Sequence, residues 1–156
     1  MRRIEFIRSG GQSGADRGAL DAAKSLGCQV VGWCPLGGWA EDYPEAPGLL
    51  LDYPELRETP SAETSQRTAW NVRDSHATLI IVPPKTSLSP GTDLTVSAAR
   101  QLGRPYLITS TYNAELAYWL ETLGYELTLN VAGPRESEAA GIYQVAYQIV
   151  EKVLRV

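Results

Sequence analysis

The segment FIRSGGQSGADRGALDAAKSLG (residues 6–27) joins an apolar run to an alanine-rich pattern through a glycine-rich turn. After the turn, apolar residues recur at helical spacing, at Ala15, Ala19, Ala22, Ala23 and Leu26. Gly27 follows as a helix stop, because glycine readily takes the left-handed backbone conformation that closes a helix. The segment therefore predicts a strand, a tight turn and a helix, which together are the repeating unit of an α/β fold.

The rest of the chain continues this alternation of strand and helix. Five β-rich runs are predicted, at residues 4–8, 29–33, 78–82, 106–109 and 126–131. The sequence thus predicts one domain spanning residues 1–156, an α/β three-layer sandwich whose Rossmann-like open parallel sheet has about five strands. The expected strand order is 2-1-3-4-5, which brings the loops after strands one and three side by side. Residues 34–61 interrupt the pattern, and a loop of that length typically has a functional or interface role.

Composition excludes several classes of function. The chain has 156 residues and a net charge of −4, which disfavours general binding to nucleic acids or to membrane surfaces, since both depend on excess positive charge. No signal peptide and no apolar run of about 20 residues is found, so a cytoplasmic location is expected. Cys28 and Cys34 are too few for a disulfide framework or a zinc site, and no metal site is predicted.

The first glycine loop has the features of an oxyanion site. Gly10 and Gly11 allow the main chain to approach a ligand closely, and Gly14 begins a helix whose first amides favour negative charge. The spacing differs from G-x-G-x-x-G, and the lysine of a P-loop is lacking. Alternatively, Ser13 and Asp16 form a capping box. The candidate ligand-binding residues here are Ser9, Gly10, Gly11, Gln12, Ser13, Gly14 and Asp16.

Two further loops follow predicted strands. In the second, PPKTSLSPGTDLT (residues 83–95), a glycine again precedes a helix, and the candidate ligand-binding residues are Gly91, Thr92, Asp93 and Thr95. The alternative is an ordinary helix cap at Thr92. In the third, NVAGPRES (residues 130–137), Arg135 could clamp an oxyanion, or it could form a surface ion pair with Glu136 or Glu138.

Three more residues are weaker candidates for ligand contact. Trp39 lies in a glycine-flanked loop and could either stack on a planar heterocycle or contact another subunit. Arg67 and Asn71 share one face of a predicted helix, which points either to the ligand cleft or to solvent. No catalytic residues are assigned, because the sequence shows neither a Ser-His-Asp set nor paired carboxylates at an obvious spacing.

Several segments, taken in order along the chain, carry a resemblance to a known family. They are SGGQSGADRGALDAA, GWCPLGGWAED, YPELRET, RTAWNVRDSHATLIIV, GTDLTVSAA and NVAGPRES. Together they resemble the molybdenum carrier, or molybdenum-cofactor carrier, family. That family is similar to a Rossmann-like superfamily that includes Lonely-Guy phosphoribohydrolases, lysine-decarboxylase-like proteins and DNA-processing protein A.

The resemblance implies a homo-oligomer that binds molybdenum cofactor, a pterin with a terminal phosphate, without modifying it. It places a phosphate-binding loop on residues 9–14 and a second glycine loop on residues 91–95. One departure concerns Thr95, which stands where the Lonely-Guy enzymes have a catalytic glutamate.

Three functions therefore follow from the sequence. The first is a carrier that holds a phosphate-bearing heterocycle, a pterin or nucleotide-like molecule, between the two glycine loops without chemical turnover. The second is a nucleotide-processing hydrolase with Asp16, Asp93 or Glu41 as general base. The third is a sensor of a nucleotide-derived ligand whose segment 34–61 contacts a partner protein.

Overall fold

A computed structural model describes residues 1–84 and 88–156 of the chain. Within these residues the predicted α/β fold is confirmed, and helices flank a five-stranded parallel sheet. The strands are β1 (Ile4–Arg8), β2 (Gln29–Val31), β3 (Trp33–Cys34), β4 (Arg57–Glu58), β5 (Ala77–Ile81), β6 (Tyr106–Thr109) and β7 (Leu127–Ala132). The α-helices are α1 (Ala15–Ser25), α2 (Thr64–Arg73), α3 (Pro90–Leu102), α4 (Ala114–Leu123) and α5 (Ile142–Leu154).

The strand order of the main sheet differs from the expected one. It is β2-β1-β7-β5-β6, so the C-terminal strand β7 lies between the first strand and β5. The registers align Ile7 with Leu129 on one side of β7 and Leu79 with Val131 on the other. The expected order 2-1-3-4-5 is therefore wrong. An apolar strand pattern predicts burial between neighbours, but it does not identify which strands those neighbours are.

This order corresponds to a rearranged Rossmann fold. If β7 and α5 were placed ahead of β1 in the chain, the same sheet would read 3-2-1-4-5, which is the classic doubly wound order. The loop after β7 consequently occupies the position that the first strand-to-helix loop has in that fold. Residues 130–135 thus lie at the centre of the carboxyl edge of the sheet.

Helices cover both faces of the sheet. α1 packs against α5, and buried residues of α4 join the same large core, whereas α2 packs against α3 over a smaller cluster around Val72 and Ala99. β1 and β7 therefore lead to helices on one face, and β5 leads to α3 on the opposite face. Among the described residues, every helix is too short or too polar to cross a lipid bilayer.

The segment 34–61 is a packed cover that contains short regular elements. Predicted strand 29–33 splits, because Trp33–Cys34 leaves the main sheet and pairs with Arg57–Glu58. A 3-10 helix, Gly48–Leu51, follows, and the side chains of Leu49 and Leu56 are buried against the first glycine loop. The segment 34–61 therefore packs against the outer side of the first glycine loop and restricts its conformation.

Arg17 joins this cover to the first glycine loop. Its Nε and Nη2 atoms donate hydrogen bonds to the carbonyl oxygen of Gly11 at 3.1 and 2.9 Å. Its other contacts lie on the cover, where it pairs with Asp42 at 2.7 Å and lies over the rings of Tyr43 and Tyr53. Because Arg17 is buried, these contacts anchor the loop where solvent screening is weak.

Gly14 provides a test of loop packing. Its φ is +83°, and an added Cβ atom would lie 2.5 Å from the carbonyl oxygen of Pro134. We expect Gly14→Ala to lower the free energy of unfolding by about 2 kcal/mol or more, because it adds both a clash and backbone strain. Gly91 is the matched control, since its Cβ would meet open space. Urea unfolding measures both variants, and equal effects would contradict this account of Gly14.

Candidate functional site

A cleft opens at the carboxyl edge of the sheet, where the connections of β7 and β5 diverge to opposite faces. Open α/β sheets bind ligands at such a point. The cleft in this protein has a volume of about 270 Å³. It is lined by the first loop, the loop after β7, Trp39 and the helices α2 and α3. The lining residues are Gly10, Gln12, Asp16, Trp39, Thr64, Arg67, Thr68, Asn71, Ser89, Pro90, Gly91, Thr92, Thr95, Asn130, Val131, Ala132, Gly133, Arg135 and Glu138.

Ten of the residues predicted from the sequence meet in this cleft, although they come from distant parts of the chain. They are Gly10, Gln12, Asp16, Trp39, Arg67, Asn71, Gly91, Thr92, Thr95 and Arg135. The other five predicted positions lie outside the lining: Ser9, Gly11, Ser13, Gly14 and Asp93. Ser9 and Gly11 pack beneath the loop, Ser13 and Gly14 lie on its far side, and Asp93 is exposed on α3.

Several amides of the first loop donate hydrogen bonds within the protein. The N–H of Ala15 donates to the carbonyl oxygen of Pro134, and that of Arg17 donates to the carbonyl oxygen of Gln12, both at 3.1 Å. The Ser13 N–H donates to Gln12 Oε1 at 3.0 Å. These three donors are therefore occupied by the protein, and the start of α1 contributes to the architecture of the cleft.

The capping box considered for this loop does not form. Gly14 is the N-cap of α1 and provides no side-chain cap. The Ser13 hydroxyl donates to Glu41 Oε1 at 2.7 Å and accepts from the Glu136 N–H at 3.2 Å. Glu41 also accepts from Ser137 Oγ at 2.6 Å, and these bonds hold its pKa below the ordinary value. Glu41, in the segment 34–61, therefore links the first glycine loop to the loop after β7, outside the cleft.

The second loop ends at α3, which begins earlier than predicted. Ser89 is the N-cap, and its Oγ accepts from the Thr92 N–H at 3.2 Å, so the alternative of a cap at Thr92 is wrong. Thr95 Oγ1 donates to the carbonyl oxygen of Gly91 at 3.0 Å. Gly91 has open space beside it, at the wall of the cleft. Residues 85–87, within the predicted loop, lie outside the described residues.

A polar stripe on α2 forms the facing wall. Thr64, Arg67, Thr68 and Asn71 recur at helical spacing and all line the cleft. The Asn71 amide also holds β3, since Oδ1 accepts from the Trp33 N–H at 2.8 Å and Nδ2 donates to the Trp33 carbonyl oxygen at 2.9 Å. Of the two orientations considered for Arg67 and Asn71, the structure has the one toward the cleft.

Asp16 and Arg67 form a loose charge pair in the cleft. Arg67 Nη1 lies 3.9 Å from Asp16 Oδ2 and donates to the Gly10 carbonyl oxygen at 3.3 Å. Burial raises the pKa of Asp16 to about 6, although the Arg67 charge and the Gln12 N–H oppose that rise. Burial likewise lowers the pKa of Arg67. Each charge is therefore incompletely compensated by the protein.

Arg135 lies at the rim of the cleft, opposite the start of α3. Its Nε is 3.3 Å from Glu138 Oε1, and 42% of its side chain is exposed. The surface ion pair and the cleft position, considered as alternatives from the sequence, thus coexist. An exposed pair of this kind is weak, so Arg135 can exchange Glu138 for a ligand anion at little cost.

Sequence reasoning missed part of the lining, including Thr64, Thr68, Ser89, Asn130 and Glu138. The i, i+3, i+4, i+7 polar stripe on α2 was a signal that could have found two of them. Asn130 enters the cleft because β7 lies next to β5, where its Nδ2 donates to Thr78 Oγ1 at 3.2 Å.

The described residues give no support for a protein-bound metal. Within residues 1–84 and 88–156, no three His, Cys, Asp or Glu side chains are grouped so as to hold an ion. Cys34 is buried, and burial raises the pKa of its thiol to about 11. A protonated thiol is a poor metal ligand.

Asp16→Asn is expected to stabilise the protein at neutral pH. With a folded pKa of about 6 against an ordinary 3.8, the folded state holds the Asp16 proton more tightly. Its contribution to stability is complete below about pH 4 and is lost as the pH rises through about 6. The variant should therefore gain about 1–3 kcal/mol of unfolding free energy at about pH 7.5 and almost none at about pH 4.

Urea unfolding at several pH values measures this effect. Asp93→Asn is the matched control, because Asp93 is exposed and should change stability by less than about 0.5 kcal/mol. A gain for Asp16→Asn that is the same at all pH values would show that its charge does not cause the effect.

Comparison with known proteins identifies the family. Residues 7–154 match the family described as the circularly permutated YpsA SLOG family. A crystal structure of a protein from Syntrophus aciditrophicus SB, named "Putative molybdenum carrier protein", is similar to this chain at 36% sequence identity and a TM-score of 0.83. The similarity covers 96% of this chain and 94% of the other. Comparison with curated proteins gave no match. With a C-terminal strand in the middle of its sheet, the chain belongs to the circularly permutated YpsA SLOG family.

Proposed function

We propose that this protein is a carrier that binds a phosphate-bearing heterocycle in the cleft and releases it unchanged, with molybdenum cofactor as the first candidate. The observation that carries the proposal is the cleft itself, built at the switch point of the sheet from three loops and two helices. The similarity of the whole chain to a protein named "Putative molybdenum carrier protein" supports the choice of ligand.

The chemistry of the lining agrees with such a ligand. Trp39 is half-buried in the lining and offers a ring on which a heterocycle can stack. The amino end of α3 and Arg135 offer positive potential for a phosphate. A volume of about 270 Å³ is at the small end of the range for ligand sites, so part of the ligand would extend into solvent.

In this role the protein contacts the organic part of the cofactor. Within the described residues no set of side chains is arranged to hold a metal, so the molybdenum would be held by the ligand and not by the chain. The cytoplasmic location and the homo-oligomeric assembly remain predictions from the sequence.

Blocking the cleft tests the carrier function. Gly91→Leu adds a side chain where the structure has open space, and we expect at least about a tenfold loss of bound molybdenum per chain with the thermal midpoint unchanged within about 3 °C. Ser97→Leu, on the exposed surface of the same helix, is the matched control. The measurement is elemental analysis with native mass spectrometry of protein purified from its own host. Parent-like loading of Gly91→Leu would remove the cleft from the proposal.

Gly11 is a poorer position than Gly91 for this experiment. Its φ is +75°, and an added Cβ would lie 2.8 Å from Leu56. A side chain at this position would therefore disturb packing beneath the loop, and a loss of binding would not be separable from a loss of folding.

A hydrolase acting on nucleotide N-glycosidic or phosphoester bonds is the second candidate, and one observation favours it. Of the three carboxylates considered as general bases, only Asp16 lines the cleft, and its raised pKa suits proton transfer near neutral pH. Incubation with a nucleotide panel, followed by chromatography, should then show product that Asp16→Asn fails to form. An inert panel, or equal product from both proteins, would exclude this role for Asp16.

A further inference from the structure

A carboxylate inside the cleft is unnecessary for binding a phosphate and opposes it. Asp16 is only 7% exposed, and Arg67 is the cation nearest to it, at 3.9 Å. Two unit charges of the same sign a few ångströms apart repel strongly where water is excluded. A phosphate at this inner position would therefore face repulsion that partly cancels the attraction of Arg67.

The Asp16 carboxylate still has hydrogen-bonding capacity. Its Oδ2 accepts from the Gln12 N–H at 3.4 Å, a long bond, the backbone of Gly133 also donates to the carboxylate, and the Arg67 contact is 3.9 Å. A carboxylate can accept about four hydrogen bonds. Arg67 is similarly underused, since the Gly10 carbonyl oxygen and Asp16 are its only polar partners in the described residues. The two side chains therefore offer donors and acceptors side by side.

From this arrangement we propose that Asp16 and Arg67 together read the edge of a 2-amino-4-oxopyrimidine ring, as found in guanine and pterin. That edge presents an acceptor and two donors in a row, namely a carbonyl oxygen, a ring N–H and an amino group. Arg67 donates to the carbonyl oxygen, and Asp16 accepts from the ring N–H and the amino group. This inference rests on the proposed function and names the ligand class and its orientation.

The remaining lining agrees with a ring-first orientation. The ring enters toward Asp16, and Trp39 stacks against it. The phosphate then points outward, to the amino end of α3 near Gly91 and to Arg135, whose side chain is 42% exposed. In the free protein, the ionised and buried Asp16 carboxylate lowers the free energy of unfolding. The bound ring offsets this cost, because its N–H groups donate hydrogen bonds to the carboxylate.

Other heterocycles fit this pair less well. Hypoxanthine lacks the 2-amino group and leaves one acceptor of Asp16 unused, whereas lumazine presents an oxygen there, which faces the carboxylate. Adenine has no carbonyl oxygen for Arg67. A site that hydrogen-bonds a donor group of its ligand strongly rejects analogues without that group, because a buried polar atom of the protein is then left without a partner.

Paired ligands that differ at one group test the inference. Calorimetry would measure the affinity of the parent protein for GMP and IMP, which differ only in the 2-amino group, and for pterin and lumazine. We expect the 2-amino member of each pair to bind at least about tenfold more tightly. Asp16→Asn should bring the members of each pair within about threefold, because its amide has a single accepting oxygen and its NH2 group would face the second N–H donor of the ring. Arg135→Ala is the matched control and should weaken GMP and IMP equally, since both carry the phosphate.

Equal affinities within each pair in the parent protein, a preference that survives in Asp16→Asn, or no binding of any of the four probes would each overturn the inference. The carrier function would still stand in those cases if Gly91→Leu loses its molybdenum while Ser97→Leu keeps it. If Gly91→Leu also retains parent-like loading, the carrier cleft fails as well.

Discussion

The fold of this protein depends on the pairing of β7 with both β1 and β5. This one strand joins β1 and β2 to β5 and β6, so that a single sheet carries α1 and α5 on one face and α3 on the other. Because β7 lies at the switch point, the residues that follow it form the centre of the cleft. The loop after β7, near the C-terminus of the chain, thus forms one wall of the cleft, beside the N-terminal glycine loop.

The N-terminal glycine loop serves mainly to hold this arrangement in place. The N–H groups of Ser13, Ala15 and Arg17 donate to protein oxygens, and the side chains of Arg17 and Glu41 tie the loop to the segment 34–61 and to the loop after β7. Gly14 is required because the backbone of residues 134–136 passes directly against it. Part of a motif that resembles a phosphate cradle is therefore satisfied internally.

The pair of Asp16 and Arg67 carries a stability cost. Burying Asp16 near Arg67 leaves both charges short of partners, and such pairs contribute little to folding free energy. In the function proposed above, the two side chains present donors and acceptors to a ligand. Under that proposal stability and ligand binding are opposed at this position, as is common where a binding site requires buried polar groups.

The sequence by itself determined the α/β class, the main elements and ten of the residues that line the cleft, because strand and helix periodicities and glycine turns are local signals. It could not determine that β7 lies between β1 and β5, since pairing partners are chosen by long-range packing. Only the tertiary structure brought Asn130 and the threonines of α2 into the cleft and moved Gly14 and Asp93 out of it. It also decided the state of Asp16, whose raised pKa comes from burial by residues far away in the chain.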